Sequence, residues 1–442
     1  MEFKKITVGN FAENLDRFRI PLSSAEREKK RGKYPYYGAA KIIDYVDGFT
    51  HSGLSVLIAE DGSVETDKGY PVVQLANGEY WVNNHTHVLK GKNDWDTLYL
   101  YYALQIIKVS PFVTGAVQKK ISQKALNSME LNYFEDPMIR RKIVESLLEL
   151  DKKIELNTQI NQTLEQIAQT IFKSWFIDFD PVHAKANALA SGQTAEQATQ
   201  AAMAVISGKN TQELHRLQTA NLEQYQQLWE IAEAFPSGFD EEGVPRGWEM
   251  TVVKSVCEKI QNGGTPKRSN KEYWNNGNIP WLSSGEVCNN NILVSSKEFI
   301  TQLGLENSST KLIEANSTLV ALYASPTAGK CSFCAFKATT NQAVCALVPK
   351  EIYKYFNFYY LQTKEEYYSN QAVGSAQQNI SKGIVENTPI FKPDNMILSY
   401  FNLIVGGLMN KQISNLKEND HLKSIRDELL PKLLSGEILN GN

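Results

Sequence analysis

The chain of 442 residues has no apolar run fit to cross a bilayer. Its most apolar stretch, "MILSYFNLIVGGLM" from Met396, is short and broken by polar residues, whereas a spanning helix needs roughly 20 apolar positions. The start, "MEFKKITVGN", holds no signal-like apolar core, so a cytoplasmic protein is expected. Cysteine is scarce: five residues, an odd number at irregular spacing, suit reduced thiols better than a disulfide framework. Charge of one sign is also lacking. A net charge of -3 argues against an indiscriminate nucleic-acid coat but leaves room for local basic patches.

Complete catalytic motifs are missing too. "SPTAGKCS" starts like a phosphate loop, but Ala324 stands where the first glycine belongs and Cys331 follows Lys330 where a hydroxyl belongs. Cys331 and Cys334 form a lone C-x-x-C with no second pair at zinc spacing, and His85 with His87 has no third ligand nearby in sequence. Asp178 and Asp180 lie where Pro181 is expected to end a helix. Pro393 and Asp394 begin a nuclease-like signature that does not continue, and no "NPPF" or "DPPY" of an amino-methyltransferase occurs. No catalytic residue, metal or cofactor is expected in this chain.

What the sequence does contain is a repeat. "GAVQKKISQKAL" from Gly115 returns as "GSAQQNISKGIV" from Gly374, with Gly, Gln, Ile and Ser kept. "NHTHVL" from Asn84 answers "NQAVCA" from Asn341, "YYALQ" from Tyr101 answers "FYYLQ" from Phe358, and "VGNFAENL" from Val8 answers "VKSVCEKI" from Val253. Two diverged copies of one unit follow. Short turn-punctuated strands with a helix near "DTLYLYYALQII" give way at Asp136 to a long stretch without Gly or Pro after Pro137. There Leu150, Ile154, Asn157, Asn161 and Leu164 alternate by three and four, and Leu408, Asn415, Asn419 and Leu422 repeat the pattern near the end. This is a coiled-coil seam with polar positions that fix register. One such helix ends each copy, so pairing of the two within the chain is the economical reading, and a homodimeric coil is the alternative. An Ala- and Gln-rich helical connector lies between the copies.

Cations run beside aromatics in both copies. The first has Lys29, Lys30, Arg31 and Lys33 leading to Tyr34 and Tyr36, and the second has Lys267, Arg268 and Lys271 leading to Tyr273 and Trp274. Cations neutralise phosphate, while amides and aromatics pack on sugars or read base edges. Gln118, Lys119 and Lys120, with Gln377, Gln378, Asn379 and Lys382, add such chemistry around the repeated phrase. A solvated basic loop, or a turn into a helix, explains each segment equally well by itself.

Four phrases, "IFKSWFIDFDPVHAKA", "FPSGFDEEGVPRGW", "GGTPKRSNKEYWNNGNIPWLSSGEV" and "LLPKLLSGEI", resemble the specificity subunit of type I restriction-modification enzymes over nearly the whole chain. The resemblance implies an α+β fold. Two mixed target recognition domains (1–135 and 245–393) are joined by two long helices (136–182 and 394–442) forming an intramolecular antiparallel coiled coil, with a connector at 183–244. Each domain would read half of a bipartite double-stranded DNA site. The helices, with Trp175 and Phe176 among their contacts, would dock two methyltransferase subunits, and motor-nuclease subunits would complete the complex. AdoMet, ATP and Mg would belong to those partners. Copy one lacks the "GGTP…YW…PW" phrase and has "KKRGKYPYYGAA" instead, so unlike half-sites are expected. The alternatives are a self-contained methyltransferase or nuclease, and a coiled-coil interaction protein that never touches DNA.

Overall fold

The computed structural model describes residues 3–115, 118–323, 327–371 and 379–438. The chain forms two compact units, Met1–Leu156 with Glu418–Asn442 and Asn157–Lys417. The division runs through both long helices, so half of each helix closes each unit.

In the first unit, Ser55–Ala59 (SVLIA) is buried at every position. An unbroken apolar run marks a strand covered on both faces, and this one sits inside a sheet ordered Glu13–Asn14, Thr86–Lys90, Ser55–Ala59, Val73–Ala76. A second sheet orders Ile42–Val46, Arg31–Tyr37, Glu79–Val82 and His51–Ser52. Lys4–Thr7 and Glu130–Tyr133 pair antiparallel and tie the start of the unit to its end.

The second unit repeats this plan. Its Ser317–Ala321 (STLVA) is likewise buried throughout. The sheet runs Cys257–Asn262, Val344–Pro349, Ser317–Ala321, Cys331–Cys334, with Ile292–Leu293 added at the edge. Ile279–Leu282 lies parallel to Thr339–Thr340 and antiparallel to Glu298–Ile300, just as Arg31–Tyr37 lies parallel to Glu79–Val82 and antiparallel to Ile42–Val46. Glu249–Val252 and Pro389–Lys392 make the closing pair.

Register corrects one sequence match. Asn341 Oδ1 accepts from the Ala343 N–H at 3.1 Å, and Asn83 Oδ1 accepts from the His85 N–H at 2.9 Å. The equivalent of Asn341 is therefore Asn83, one residue before the Asn84 that the sequence suggested.

The repeated Gly-x-x-Gln-x-x-Ile-Ser phrase also gains a physical account. Ile121 and Ile380 are 0% and 2% exposed. The next residue caps a short helix in each copy: Ser122 Oγ accepts from the Ala125 N–H and Ser381 Oγ from the Ile384 N–H. Such a cap contributes about 1 kcal/mol. Gln377 and Gln378 lie outside the described residues.

The first long helix is Pro137–Phe176 and the second Asn395–Leu434. Asp136 and Asp394 accept the Met138 and Met396 N–H groups at their starts. The expected end of the first helix at 182 is not observed. Phe179 turns left-handed at φ 51°, and Pro181 sits in the first turn of the next helix, Asp180–Ala190. There a missing N–H costs nothing, so Pro181 opens a helix rather than ending one. Ala195–Ser207, Thr211–Ala220 and Leu222–Ala234 continue the connector around a small core of Ala202, Met203, Leu214, Leu228 and Ala232.

Within each unit the helices run antiparallel, residue numbers rising on one as they fall on the other. In the second unit Asn415 Nδ2 donates to Asn161 Oδ1 at 2.8 Å, and Asn161 Nδ2 donates to the Gln412 carbonyl at 3.2 Å. In the first, Asn419 Nδ2 reaches the Ile154 carbonyl, Lys153 pairs with Glu418, and Arg426 pairs with Asp151 at 2.8 Å. The seam asparagines bond across the helix pair inside one chain, so the homodimeric alternative is not needed.

Candidate nucleic-acid interface

The basic stretch of the first unit divides between a short helix, Ser24–Lys29, and the strand Arg31–Tyr37. Ser23 caps that helix with Glu26 in a capping box. Arg27, which opens the same run of cations, bonds Asp44 at 3.0 Å and stacks 5.2 Å from the centre of the buried Tyr36 ring. Tyr36 is only 1% exposed and holds the preceding loop through the Leu22 N–H, so it belongs to the core and not to a surface. Lys29, Lys30, Arg31 and Lys33 are exposed and have no carboxylate within ion-pair distance among the described residues. Lys33 lies over the Tyr34 ring, which packs at 5.4 Å on Phe49.

The second unit builds the same arrangement from a different phrase. Arg268 bonds both oxygens of Glu298, at 2.5 and 2.9 Å, and stacks 3.7 Å from Trp274 and 4.6 Å from Trp281. Trp281, 3% exposed, donates its indole N–H to the Gly264 carbonyl. Gly263 and Gly264 are required by packing: a Cβ on either would fall within 2.3 Å of Thr340 or Ser309 atoms. Arg268, Trp274 and the two glycines are thus spent on holding the loop. Lys267 and Lys271 remain exposed beside it without an ion-pair partner among the described residues, and Tyr273 is half-buried.

Strand register equates the two sites. Tyr36 faces Asp44 across one strand pair and Trp281 faces Glu298 across the other. "YPYY" and "IPWL" therefore occupy one place in the fold, and the phrase that copy one lacks is replaced there by an equivalent. The shared displacement of Pro35 and Pro280 with the unit starts was the available sequence signal. It was missed because the stretches before it, though equal in length, differ in residue type.

The cations of the repeated phrase are less free than expected. Lys119 pairs with Glu65, Lys120 with Glu60 at 3.0 Å and Lys382 with Glu386 at 3.1 Å. Gln118 is exposed and Asn379 half-buried. A cleft of about 460 Å³ instead gathers Lys382 with Lys259, Asn262 and Lys311, the last of which the sequence reading passed over.

The helix residues also sort by burial. Leu150, Ile154, Leu164, Leu408 and Leu422 are half-buried along the seam, and Asn157, Asn415 and Asn419 are buried. Trp175 and Phe176, expected at a partner contact, are 2% and 0% exposed. They pack on Phe235, Trp248, Phe356 and Phe401, out of reach of another chain. Nearby, the buried Lys185 donates to the carbonyls of Ala232, Glu233 and Phe235, satisfying orphan acceptors at a helix end. Two of the phrases that carry the family resemblance are thus packed on each other.

His85 and His87 do not share a site. His85 pairs with Asp61, whereas the buried His87 bonds Asp16 at 2.6 Å and the Ile121 carbonyl at 2.8 Å. Asp16, Glu60 and His87 come within ligand distance of one another, a cluster that sequence spacing could not show. Arg19 occupies it by pairing with both carboxylates, which gives it the character of an ion-pair network. Burial pushes the Asp16 carboxyl up, but His87, the Val88 N–H and Arg19 outweigh burial and hold it below 3.8. Cys331 and Cys334 stand on one strand, three residues apart, and so face opposite sides of the sheet. Burial pushes the Cys257, Cys334 and Cys345 thiols up to about 12, so they stay protonated.

A family model described as the type I restriction modification DNA specificity domain matches residues 1–166 and 245–397. The type I restriction enzyme HindI specificity subunit of Haemophilus influenzae is 38% identical over 332 residues, covering 72% of this chain and 71% of that protein. The MjaIX specificity subunit of Methanocaldococcus jannaschii is 25% identical over 349 residues, covering 77% and 68%. Among solved structures, a type I restriction-modification S subunit from M. genitalium aligns with TM-score 0.55 at 15% identity, over 98% of this chain and 96% of that one. This last likeness concerns the fold.

Proposed function

The chain belongs to the type I restriction-modification DNA specificity family, and from that membership we propose that each unit reads one half of a bipartite duplex site. Its role is the non-catalytic, DNA-specifying one of a type I complex. The observation that carries the two-half reading is the repeated topology: each unit holds the same strand plan and the same arginine, carboxylate and aromatic clamp beside lysines without an ion-pair partner among the described residues. One unit used twice fits one site read in two parts.

The antiparallel helices set the gap between half-sites and offer surfaces to two methyltransferase subunits, and motor-nuclease subunits join for cleavage. AdoMet, ATP and magnesium are placed in those partners. Among the described residues no helix is long and apolar enough to cross a membrane.

Reconstitution tests this. With its methyltransferase the chain gives AdoMet-dependent adenine methylation at a split sequence, and the chain alone gives none. Methylation or cleavage by the isolated chain, or a methylated motif with no gap, would overturn the proposal.

A further inference from the structure

We propose that Tyr45 and Phe299 are equivalent surface aromatics, one in each unit, that pack directly on the DNA duplex at the half-site their unit reads. The inference rests on the half-site reading above and gives it residues. Tyr45 faces Pro35 across its strand pair, and Phe299 faces Pro280 across the matching pair. Each follows the carboxylate of the clamp, Asp44 or Glu298. Strand alternation then puts the carboxylate toward the buried aromatic and its neighbour toward the opposite face. Tyr45 is 53% exposed and Phe299 41%. A single exposed aromatic needs no explanation, but the same register position exposed in two diverged copies does.

The surroundings favour a polyanion. The carboxylate beside each aromatic is already bonded to arginine, so it does not repel phosphate. Main-chain pairing brings Lys30 and Arg31 to the end of the Tyr45 strand. In the second unit, Thr301 bonds Tyr273 and Glu272, laying the Lys267–Lys271 loop along the Phe299 strand, and Lys297 is exposed just before that strand. Asp47 lies at the hairpin end and Asp44 acts on Arg31 through space, but Lys30, Arg31, Lys267, Lys271 and Lys297 have no carboxylate within ion-pair distance among the described residues. Cations flanking an exposed ring match a duplex, whose phosphates border sugars and base edges. Ring packing of this kind also serves wedge-like contacts in a groove.

The test uses the chain assembled with its methyltransferase subunits. Affinity for duplexes carrying or lacking the methylated motif is measured by fluorescence anisotropy, and methylated sites are mapped by sequencing. Tyr45→Ala and Phe299→Ala are each expected to weaken specific binding about tenfold, within the range for an aromatic–base contact, while Tyr45→Phe does not. Each alanine variant is expected to relax one half of the motif, a different half for each, with melting temperature unchanged. Unchanged affinity and motif in both variants, or relaxation of the same half by both, overturns the inference. If wild-type complex shows no split motif, the half-site reading itself has failed. A split motif with indifferent variants condemns only the assignment of Tyr45 and Phe299.

Discussion

Arg268 and Lys267 are neighbours with opposite fates. Arg268 is engaged with Glu298 and two indoles, whereas Lys267 is exposed and unpaired among the described residues. Replacing Lys267 by Ala should therefore reduce the salt dependence of DNA binding by about one unit of slope, the signature of one lost phosphate contact. Arg268→Ala should leave the slope alone and lower the melting temperature instead, because the tryptophans lose a stacking partner worth about 0.5–1 kcal/mol. Salt titrations and thermal melts of both variants separate the roles. A lowered slope for Arg268→Ala would return it to the phosphate contacts. The Asp16 and Glu60 network makes a pH prediction. Burial raises both carboxyls, but their cationic partners more than compensate and hold them below 3.8 and 4.5. A carboxylate lowered on folding stabilises fully above its unfolded pKa and loses that contribution as pH falls through the folded one. Melting temperature should thus fall in acid below about 4.5, and Glu60→Gln should make the fall shallower. An unchanged acid limb in that variant would show that Glu60 does not contribute.

At the scale of elements, the polar seam specifies how the helices pair. Asn415 is fully buried and donates to Asn161, while its own Oδ1 has no partner among the described residues. Asn161→Leu orphans the buried Asn415 amide and should cost about 1–3 kcal/mol. Adding Asn415→Leu should recover most of that loss, since paired apolar replacements remove the unsatisfied group. A double-mutant cycle by chemical denaturation checks the coupling, and simple additivity would mean the two amides do not meet. This seam was legible in the sequence because apolar spacing and asparagine positions are local. So was the repeat, wherever the displacement stayed near 258. The clamps were not legible. Arg27 meets Asp44, and Arg268 meets Glu298, across strands whose pairing no local pattern announces. The copies also drift in length, with Pro35 answering Pro280 but Ser55 answering Ser317. Burial of Tyr36, Trp175 and Phe176 was hidden for a related reason, since an aromatic beside a cation reads alike at a surface and in a core.

For the whole molecule, the central claim is that two copies of one reading unit share two helices that measure the gap between their half-sites. The helices cross from one unit's residues to the other's near Leu156 and Lys417, positions that the contacts of Ile154 with Asn419 and Asn161 with Gln412 bracket. One heptad inserted after Leu156 and one after Lys417 keeps the seam in phase, as an antiparallel pair requires. It lengthens each helix by about 10 Å, or roughly three base pairs at 3.4 Å. The decisive measurement is the methylated motif of the reconstituted complex, read across a genome for wild type and for the heptad variant. The account predicts the same two half-sites separated by a gap about three base pairs longer. An active variant with an unchanged gap would contradict the helical ruler, and altered half-sites would contradict recognition confined to the two units.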